Sequence, residues 1–183
     1  MLIKPFKLGF NSLFLYKVLT IRYELRGKEN EFPIIEFCSE CKGRGKLYRH
    51  GFYMRFGITE KGAISIPICR LKCKHCKTTF SIIPDFLIPH FQHTLHTIVQ
   101  GVEQRLLKKK AFDRRQLVNF HFKRYVSILK WVHTYFSDLD YALSFSDDQK
   151  KEAIKYLKMI QDFGESSFLR RSQGHLKKHF MAL

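Results

Sequence analysis

Alternation of side chains with a period of two marks the first half of the chain. Over residues 47–56, one set of alternate positions is mostly apolar and the other combines basic and aromatic side chains. A period of two indicates a β-strand, whose successive side chains point to opposite faces. The isoleucines of 64–68 repeat the alternation after a turn over 57–62, and 78–83 is suited to a third strand. We therefore predict antiparallel β-hairpins, with Pro67 marking an edge strand or a bulge.

From residue 84 onward the apolar positions follow a helical period instead. Apolar side chains recur at spacings of three and four, which places them on one side of a helix. Capping boxes at 113–116 and 146–149 and the glycine at 164 supply further start and stop signals. The predicted helices run from Pro89 to the lysines at 108–110, from about Arg114 to a short break at 119–122, over 123–136, from the second capping box to Gly164, and over 167–180.

Two Cys-x-x-Cys pairs flank the predicted hairpin, one at Cys38 and Cys41 and the other at Cys73 and Cys76. Each pair can form a tight turn that presents two thiolates, and four thiolates suit a tetrahedral Zn²⁺ site. Nearby lysines favour the thiolate form. The alternatives are two unrelated thiol pairs or a redox pair, but a redox pair normally accompanies a thioredoxin-like βαβ pattern, which the sequence lacks. We predict that these four cysteines bind Zn²⁺.

Cys69 and His75 are the two residues near the pairs that offer an alternative ligand. Cys69 has the strand parity opposite to that of the isoleucines, and three residues separate it from the second pair, which is the arrangement of a structural thiol. His75 lies inside the second pair, where strain disfavours ligation by a neighbouring residue. The predicted ligand set therefore excludes both.

The two periodicities and the cysteines together define the predicted fold class and domain limits. We predict an α+β protein in which a lead-in segment, 1–33, precedes a zinc ribbon of antiparallel β-hairpins, 34–88. A helical domain, 89–183, follows. Its segment 113–136 combines a capped short helix, a brief break and a longer basic-faced helix, which resembles a helix-turn-helix.

The chain is strongly basic, with 33 Lys and Arg against 16 Asp and Glu and a formal net charge of +17. Such a surface implies a polyanionic partner, most often nucleic acid, although a merely basic soluble protein has the same composition. No apolar run reaches the length of a membrane span and no signal peptide is visible, so we predict a cytoplasmic protein with no membrane partner.

The helical domain supplies the first predicted nucleic-acid surface. If the longer helix lies in a major groove, its polar side chains meet phosphates or base edges, and double-stranded DNA is the favoured ligand. The alternative is an ordinary helical bundle with a solvated charged face. The candidate contacts in this domain are Lys108, Lys109, Lys110, Arg114, Arg115, Lys123, Arg124, Ser127, Lys130, Trp131 and Thr134.

The predicted hairpin supplies a second candidate surface, formed by Arg49, Tyr53 and Arg55. Basic side chains interleaved with an aromatic ring suit contact with a nucleic-acid backbone together with base stacking. This surface carries an alternative function, RNA binding through the ribbon. The other interpretation of the same residues is a cross-strand packing face.

The acidic residues do not indicate a catalytic site. A nuclease or transposase core requires clustered carboxylates to hold Mg²⁺. The acidic residues of 138–152 lie instead in a predicted loop and at a helix start, where capping and the helix dipole account for them. We therefore predict no enzymatic activity. A further alternative is a protein-interaction module that docks a partner such as a transposase or a transcription complex.

Four segments of the first half also carry a family resemblance. The stretches 49–55, 66–70, 73–76 and 79–89 resemble an uncharacterised bacterial family of zinc-ribbon proteins, which is similar to the N-terminal regions of insertion-sequence transposases. The resemblance covers about residues 30–135 and is more specific in the ribbon than in the helices. It implies a zinc ribbon followed by a helix-turn-helix in a mobile-element setting, and it implies no catalytic residues.

Overall fold

The computed structural model describes residues 12–16, 20–107, 115–141, 144–177 and 180–181. The chain forms two compact units, Met1–Thr94 and Leu95–Leu183. The first contains the β-strands and the second consists of helices, so the α+β class is confirmed. The sequence placed the corresponding boundary between residues 88 and 89.

A four-stranded sheet forms the first unit. Its spatial order is β1 (Ser12–Tyr16), β4 (Thr79–Pro84), β3 (Gly62–Cys73) and β2 (Leu47–Thr59). β1 runs parallel to β4, whereas β3 is antiparallel to both β4 and β2. The predicted hairpin and third strand are confirmed. The turn is tighter than predicted, because Thr59 pairs with Gly62 and only two residues connect the strands.

Part of the predicted lead-in segment is ordered secondary structure. This segment contains one strand and one helix: β1, and α1 (Thr20–Arg26), which a 3₁₀ turn (Gly27–Glu29) extends. Tyr23 of α1 is fully buried, and its hydroxyl donates to the carbonyl oxygen of Pro67 over 2.5 Å. α1 thus packs on β3.

The contacts of Ile58 establish which backbone groups of β2 point away from β3. Its N–H donates to the Gln92 carbonyl over 2.8 Å, and its carbonyl accepts from the Thr94 N–H over 3.0 Å. Because outward and inward groups alternate along an antiparallel strand, Phe56, Met54 and Phe52 also point outward. The register is unbroken over 51–59, so this alternation holds for all of them.

The same alternation explains how Pro67 fits in β3. Pro67 lies opposite Met54, in a pair that exchanges no bonds, so its nitrogen points away from β2. β4 pairs only with Cys69–Lys72 and does not reach Pro67. Within the described residues, the C-terminal end of β3 therefore lies between β2 and β4, as an inner strand. Beside Pro67, β3 has no strand partner on the side away from β2, so the predicted edge position is found at this residue.

The predicted assignment of faces along β2 was wrong. Met54 and Phe56, predicted on the apolar face, are 56% and 58% exposed, whereas Arg55 is half-buried. The Arg55 guanidinium donates to the carbonyl of Ile88 over 2.8 Å and to that of Phe91. Two features cause the inversion. A β-bulge between Arg49 and Gly51 shifts the alternation by one residue, and the segment 85–94 covers the Arg55 side of the hairpin.

The second unit contains five α-helices within its described residues. They are α2 (Leu95–Leu106), α3 (Arg115–Ser127), α4 (Leu129–Ser137), α5 (Gln149–Phe163) and α6 (Glu165–Arg171), followed by a 3₁₀ turn (His175–Lys177). Aromatic rings dominate the core: Phe136 stacks on Phe168 and on Tyr156, with centroids 5.7 Å and 6.5 Å away. None of the described helices combines the length and apolar character of a membrane span.

Three predicted helix limits were wrong and one was confirmed. The last helix, predicted over 167–180, ends at Arg171. The first helix begins at Leu95 rather than at Pro89, because 92–94 are held beside Ile58. α3 continues through the predicted break at 119–122, and the interruption falls at Ile128. α5 ends where predicted, at Gly164, whose φ of 85° suits glycine. Asp148 caps its start by accepting from two backbone N–H groups.

We predict that Tyr23→Phe lowers the free energy of unfolding by about 1–3 kcal/mol, because it leaves the buried Pro67 carbonyl without its donor. Urea denaturation of the metal-loaded protein measures the change. Tyr48→Phe is the matched control, since Tyr48 is exposed. Equal stabilities for the two variants would contradict this role for the Tyr23 hydroxyl.

Candidate metal centre and basic surfaces

The two Cys-x-x-Cys turns have the same backbone hydrogen bonds. In the first turn, the Cys38 N–H donates to the Gly43 carbonyl over 3.1 Å, and the Lys42 N–H donates to the Cys38 carbonyl over 2.9 Å. The second turn, 73–78, repeats both bonds at the same spacing, with distances of 3.0 Å and 3.1 Å. Two turns built alike thus face each other across one cluster of sulfurs.

A left-handed residue follows the second cysteine of each turn. Lys42 has a φ of 58° and Lys77 a φ of 62°. This conformation is unfavourable for a residue with a Cβ, and it is adopted here because both ends of the turn are held by hydrogen bonds. The backbone also joins the turns, since the Lys74 N–H donates to the Lys46 carbonyl over 2.8 Å.

The four predicted ligands come together. The Sγ atoms of Cys38, Cys41, Cys73 and Cys76 lie within 4.8 Å of one another. The distance is 3.5 Å between Cys38 and Cys76 and 3.7 Å between Cys41 and Cys73. Zn–S bonds of about 2.3 Å place tetrahedral sulfurs about 3.8 Å apart, whereas a disulfide requires about 2.05 Å. The quartet is therefore positioned to hold a metal ion rather than to form disulfides.

The surroundings of the sulfurs differ within each turn. Cys38 and Cys73 are buried, whereas Cys41 and Cys76 are half-buried. Burial raises the pKa of the Cys38 thiol to about 12. Hydrogen bonds with the hydroxyl and the backbone of Thr78 lower the pKa of the Cys76 thiol to about 6. A buried thiolate needs a neighbouring cation, which a bound metal ion supplies.

Cys69 lies apart from the quartet, in the sheet. It is fully buried in β3, where it pairs with Phe52 on one side and Ile82 on the other. Burial also raises the pKa of its thiol. These surroundings account for Cys69 as part of the packing between the central strands.

Exposed basic side chains surround the two turns, and we call them the turn surface. A metal dication with four thiolates carries a net charge of −2, which the basic residues exceed. Glu36 pairs with one of them, Arg44, at 3.3 Å. Glu60 is the sole acidic residue within 47–84. The turn surface comprises Lys42, Arg44, Lys46, Lys74 and Lys77.

The structure separates the three residues of the predicted strand surface. Arg49 is exposed, and its guanidinium lies 5.5 Å from the centre of the Phe32 ring. Tyr53 is half-buried, with its hydroxyl 3.4 Å from Ser81 Oγ and the Arg70 guanidinium 5.9 Å from its ring. Arg55 is bound to backbone carbonyls. Of the three, only Arg49 is exposed.

Sequence reasoning missed Tyr48 as an exposed ring. Its exposed fraction is 38%, and the Lys74 ammonium lies 5.9 Å from its centroid. Tyr48 precedes the bulge, so the simple alternation placed it on an apolar face. In the structure, Tyr48 pairs with Lys72 next to the second turn, and this register brings its ring close to the basic residues.

Four candidate residues of the helices are exposed, and we call them the α3–α4 surface: Arg115, Lys123, Ser127 and Lys130. Ser127 Oγ donates to the Arg124 carbonyl over 2.8 Å. Ile128 interrupts the helix only locally, because its N–H still donates to Tyr125 and its carbonyl still accepts from Val132. The four residues therefore follow one nearly continuous helical path. Phe120, 46% exposed, lies on the same helix and was not predicted.

The remaining candidate nucleic-acid contacts of the helices either form hydrogen bonds within the unit or lie outside the described residues. Trp131 is buried and its Nε1–H donates to the His175 carbonyl over 2.9 Å. Arg124 is half-buried and donates to the Met181 carbonyl, also over 2.9 Å. Thr134 donates to the Lys130 carbonyl. Lys108, Lys109, Lys110 and Arg114 lie outside the described residues.

The cysteine-containing region matches a protein-family model. The family is described as a domain of unknown function (DUF6431), and the match covers residues 38–119. The matched region begins at the first cysteine of the quartet and includes both turns, the hairpin, β4, α2 and the start of α3. No curated protein matches the chain. No solved structure matches it either.

We predict that Cys38→Ser and Cys76→Ser each remove a metal ion that the wild-type protein retains after dialysis. The reason is that each variant lacks one of four converging sulfurs. Elemental analysis measures the metal content. Cys69→Ala is the matched control, because it removes a buried thiol outside the quartet. Loss of metal from the control alone would show that the ligand set is different.

We also predict that Lys77→Gly keeps or increases stability, whereas Lys77→Val lowers the free energy of unfolding by about 1–2 kcal/mol. The left-handed φ of 62° accommodates glycine and excludes a β-branched side chain. Denaturation at constant metal concentration measures both effects. His75→Val, within the same turn but outside the positive-φ residues, serves as control and should change stability less.

Proposed function

We propose that this protein binds nucleic acid, with double-stranded DNA favoured, and has no catalytic activity of its own. The observation that carries the proposal is the unneutralised charge of the α3–α4 surface. Residues 114–137 contain no Asp or Glu, while Arg115, Lys123 and Lys130 are exposed there. Basic groups on a segment that carries no carboxylate of its own are available to phosphates.

The geometry of this surface suits a duplex. Lys123, Ser127 and Lys130 are spaced i, i+4 and i+7, which puts them on one side of the helical path and spreads them over about 10 Å. A major groove about 12 Å wide admits a helix, with its flanking basic groups against the backbone. The uninterrupted α3 does not favour the helix-turn-helix arrangement with a turn at 119–122.

We further propose that the ion held by the cysteine quartet is Zn²⁺. Four thiolates in a tetrahedral arrangement are typical of structural zinc, and such a closed site leaves no position for a substrate. The ion would fix the turns in a zinc-ribbon-like arrangement and thereby hold the turn surface in place. Thiolate ligands also favour the reducing cytoplasm.

The cysteine-containing region resembles an uncharacterised zinc-ribbon family that is itself similar to the N-terminal parts of insertion-sequence transposases, and this resemblance supports the proposal of a place in a mobile-element system. In such a system, a basic module positions DNA while a separate protein performs the chemistry. The expected partners are therefore DNA and, as the alternative interpretation, a protein such as a transposase.

We predict that Lys123→Gln combined with Lys130→Gln weakens binding to a duplex of random sequence. The slope of log affinity against log salt concentration should become shallower by about 0.9 for each phosphate that the variant no longer neutralises. Fluorescence anisotropy over a series of salt concentrations measures this slope. Lys150→Gln combined with Lys158→Gln is the matched control, because it removes two exposed lysines from α5.

An equal effect of both double variants would mean that net charge alone drives binding, and would remove the α3–α4 surface from the proposal. The same measurement with single-stranded RNA of the same length tests the alternative ligand. Tighter binding of the RNA, with a greater reduction of affinity in Tyr48→Ala than in the lysine variant, would favour the ribbon as the binding element instead.

A further inference from the structure

The outer edge of β2 presents unpaired backbone groups in a regular row. Ile58, which points outward, is paired with the segment 92–94. By the alternation of the strand, the N–H and carbonyl groups of Phe52, Met54 and Phe56 point the same way. No residue in the described part of the chain pairs with them. A long unpaired edge is a template for another strand.

The side chains at these outward positions add an apolar contact surface. Met54 and Phe56 are 56% and 58% exposed, which is unusual for two large apolar side chains on one strand face. Phe52 completes the row but is half-buried, with the Phe32 ring 5.6 Å away. Backbone pairing and apolar contact are thus available at the same positions.

The segment 92–94 shows how this edge is already used at one end. It runs parallel to β2 at Ile58 and makes two ladder bonds. It does not continue along the strand, because the Phe91 carbonyl accepts from Arg55 and His90 has a φ of 68°, which turns the chain. The described segment therefore closes the edge at Ile58 and leaves the position beside Met54 open.

The net positive charge of the hairpin favours some binding partners over others at the outer edge of β2. Within 47–73 the basic residues are Arg49, Arg55, Lys61, Arg70 and Lys72, against Glu60 alone. A second copy of the chain, with a formal net charge of +17, would bring like charges together. A nucleic acid cannot match alternating amide donors and acceptors at strand spacing, and its phosphates gain nothing from exposed Met54 and Phe56.

The geometry points to an extended acidic peptide segment of a partner protein as the occupant of this edge. The peptide adds a strand to the sheet by pairing with the outward groups of Phe52, Met54 and Phe56. Its apolar side chains cover Met54 and Phe56, and its carboxylates meet the exposed basic residues of the hairpin, Arg49 and Lys61. This docking site is separate from the α3–α4 surface and does not depend on DNA binding.

The test uses the full, metal-loaded chain and an octapeptide of alternating glutamate and valine as the probe. Amide hydrogen exchange followed by NMR gives the readout. On peptide addition, exchange of the Phe52, Met54 and Phe56 amides should slow by about tenfold or more, whereas the Tyr53 and Arg55 amides, already bonded to β3, should not change.

Met54→Pro tests the backbone pairing directly. Because the Met54 N–H points away from β3, proline removes the outward donor and leaves the β2–β3 ladder intact. Peptide affinity should fall by about fivefold or more relative to Met54→Ala, which removes the side chain but keeps the donor. Phe56→Pro, compared with Phe56→Ala, repeats the test if Met54→Pro does not fold, as judged by metal content and Arg55 protection.

Four outcomes would overturn the inference: no slowing of the outward amides by the peptide, equal binding of a lysine–valine octapeptide, protection of the same amides by duplex DNA, or concentration-dependent protection and dimerisation of the chain alone. Unchanged peptide binding by the Lys123→Gln, Lys130→Gln variant is expected. This result separates the docking site from the proposed DNA-binding function, so that either can fail without the other.

Discussion

The meeting of two cysteine turns at the open end of the hairpin is the constraint on which the first unit depends. Cys73 ends β3 and pairs with Leu47, the first residue of β2. The turn 38–43 must therefore be brought to the base of the hairpin from outside the sheet, at an entropic cost that grows with the intervening chain. An ion bound by all four sulfurs would offset this cost, because its binding energy would also be folding energy. The hairpin and a loaded metal centre would then stabilise each other.

A second constraint follows from the hairpin, because its two faces are covered by different segments. α1 packs on the Pro67 side, and the segment 85–94 covers the other side through Arg55 and Gly57. A Cβ at Gly57 would lie 2.6 Å from Ile66 Cδ1 of β3 and 3.4 Å from Leu87 Cδ2 of the covering segment, so glycine leaves room for the Ile66 side chain beneath that segment. Arg55 thereby serves as a structural residue, although its charge and its place in a basic stretch suggested a surface role.

The sequence predicted best those features that depend on local spacing. The quartet could be predicted because the Cys-x-x-Cys spacing itself shapes each turn, and the end of α5 because Gly164 is chemically distinctive. The start of α2 could not, since the bonds of Ile58 to 92–94 override the helical pattern of the preceding residues. The burial of Trp131 could not be predicted either, because its Nε1–H is satisfied by the carbonyl of His175, a residue far along the chain. The coverage of the Arg55 side by the segment 85–94, together with the bulge at 49–51, inverted the predicted faces of β2.

The matched design of the two turns has a kinetic consequence for the metal centre. Each turn contributes one buried sulfur, from Cys38 or Cys73, and one half-buried sulfur, from Cys41 or Cys76. In a metal-loaded protein, Cys41 and Cys76 would be the sulfurs that solvent and competing thiols reach first, whereas Cys38 and Cys73 would stay shielded. Because each turn keeps one shielded sulfur, loss of contact at the accessible sulfurs would not by itself separate the ends of the hairpin.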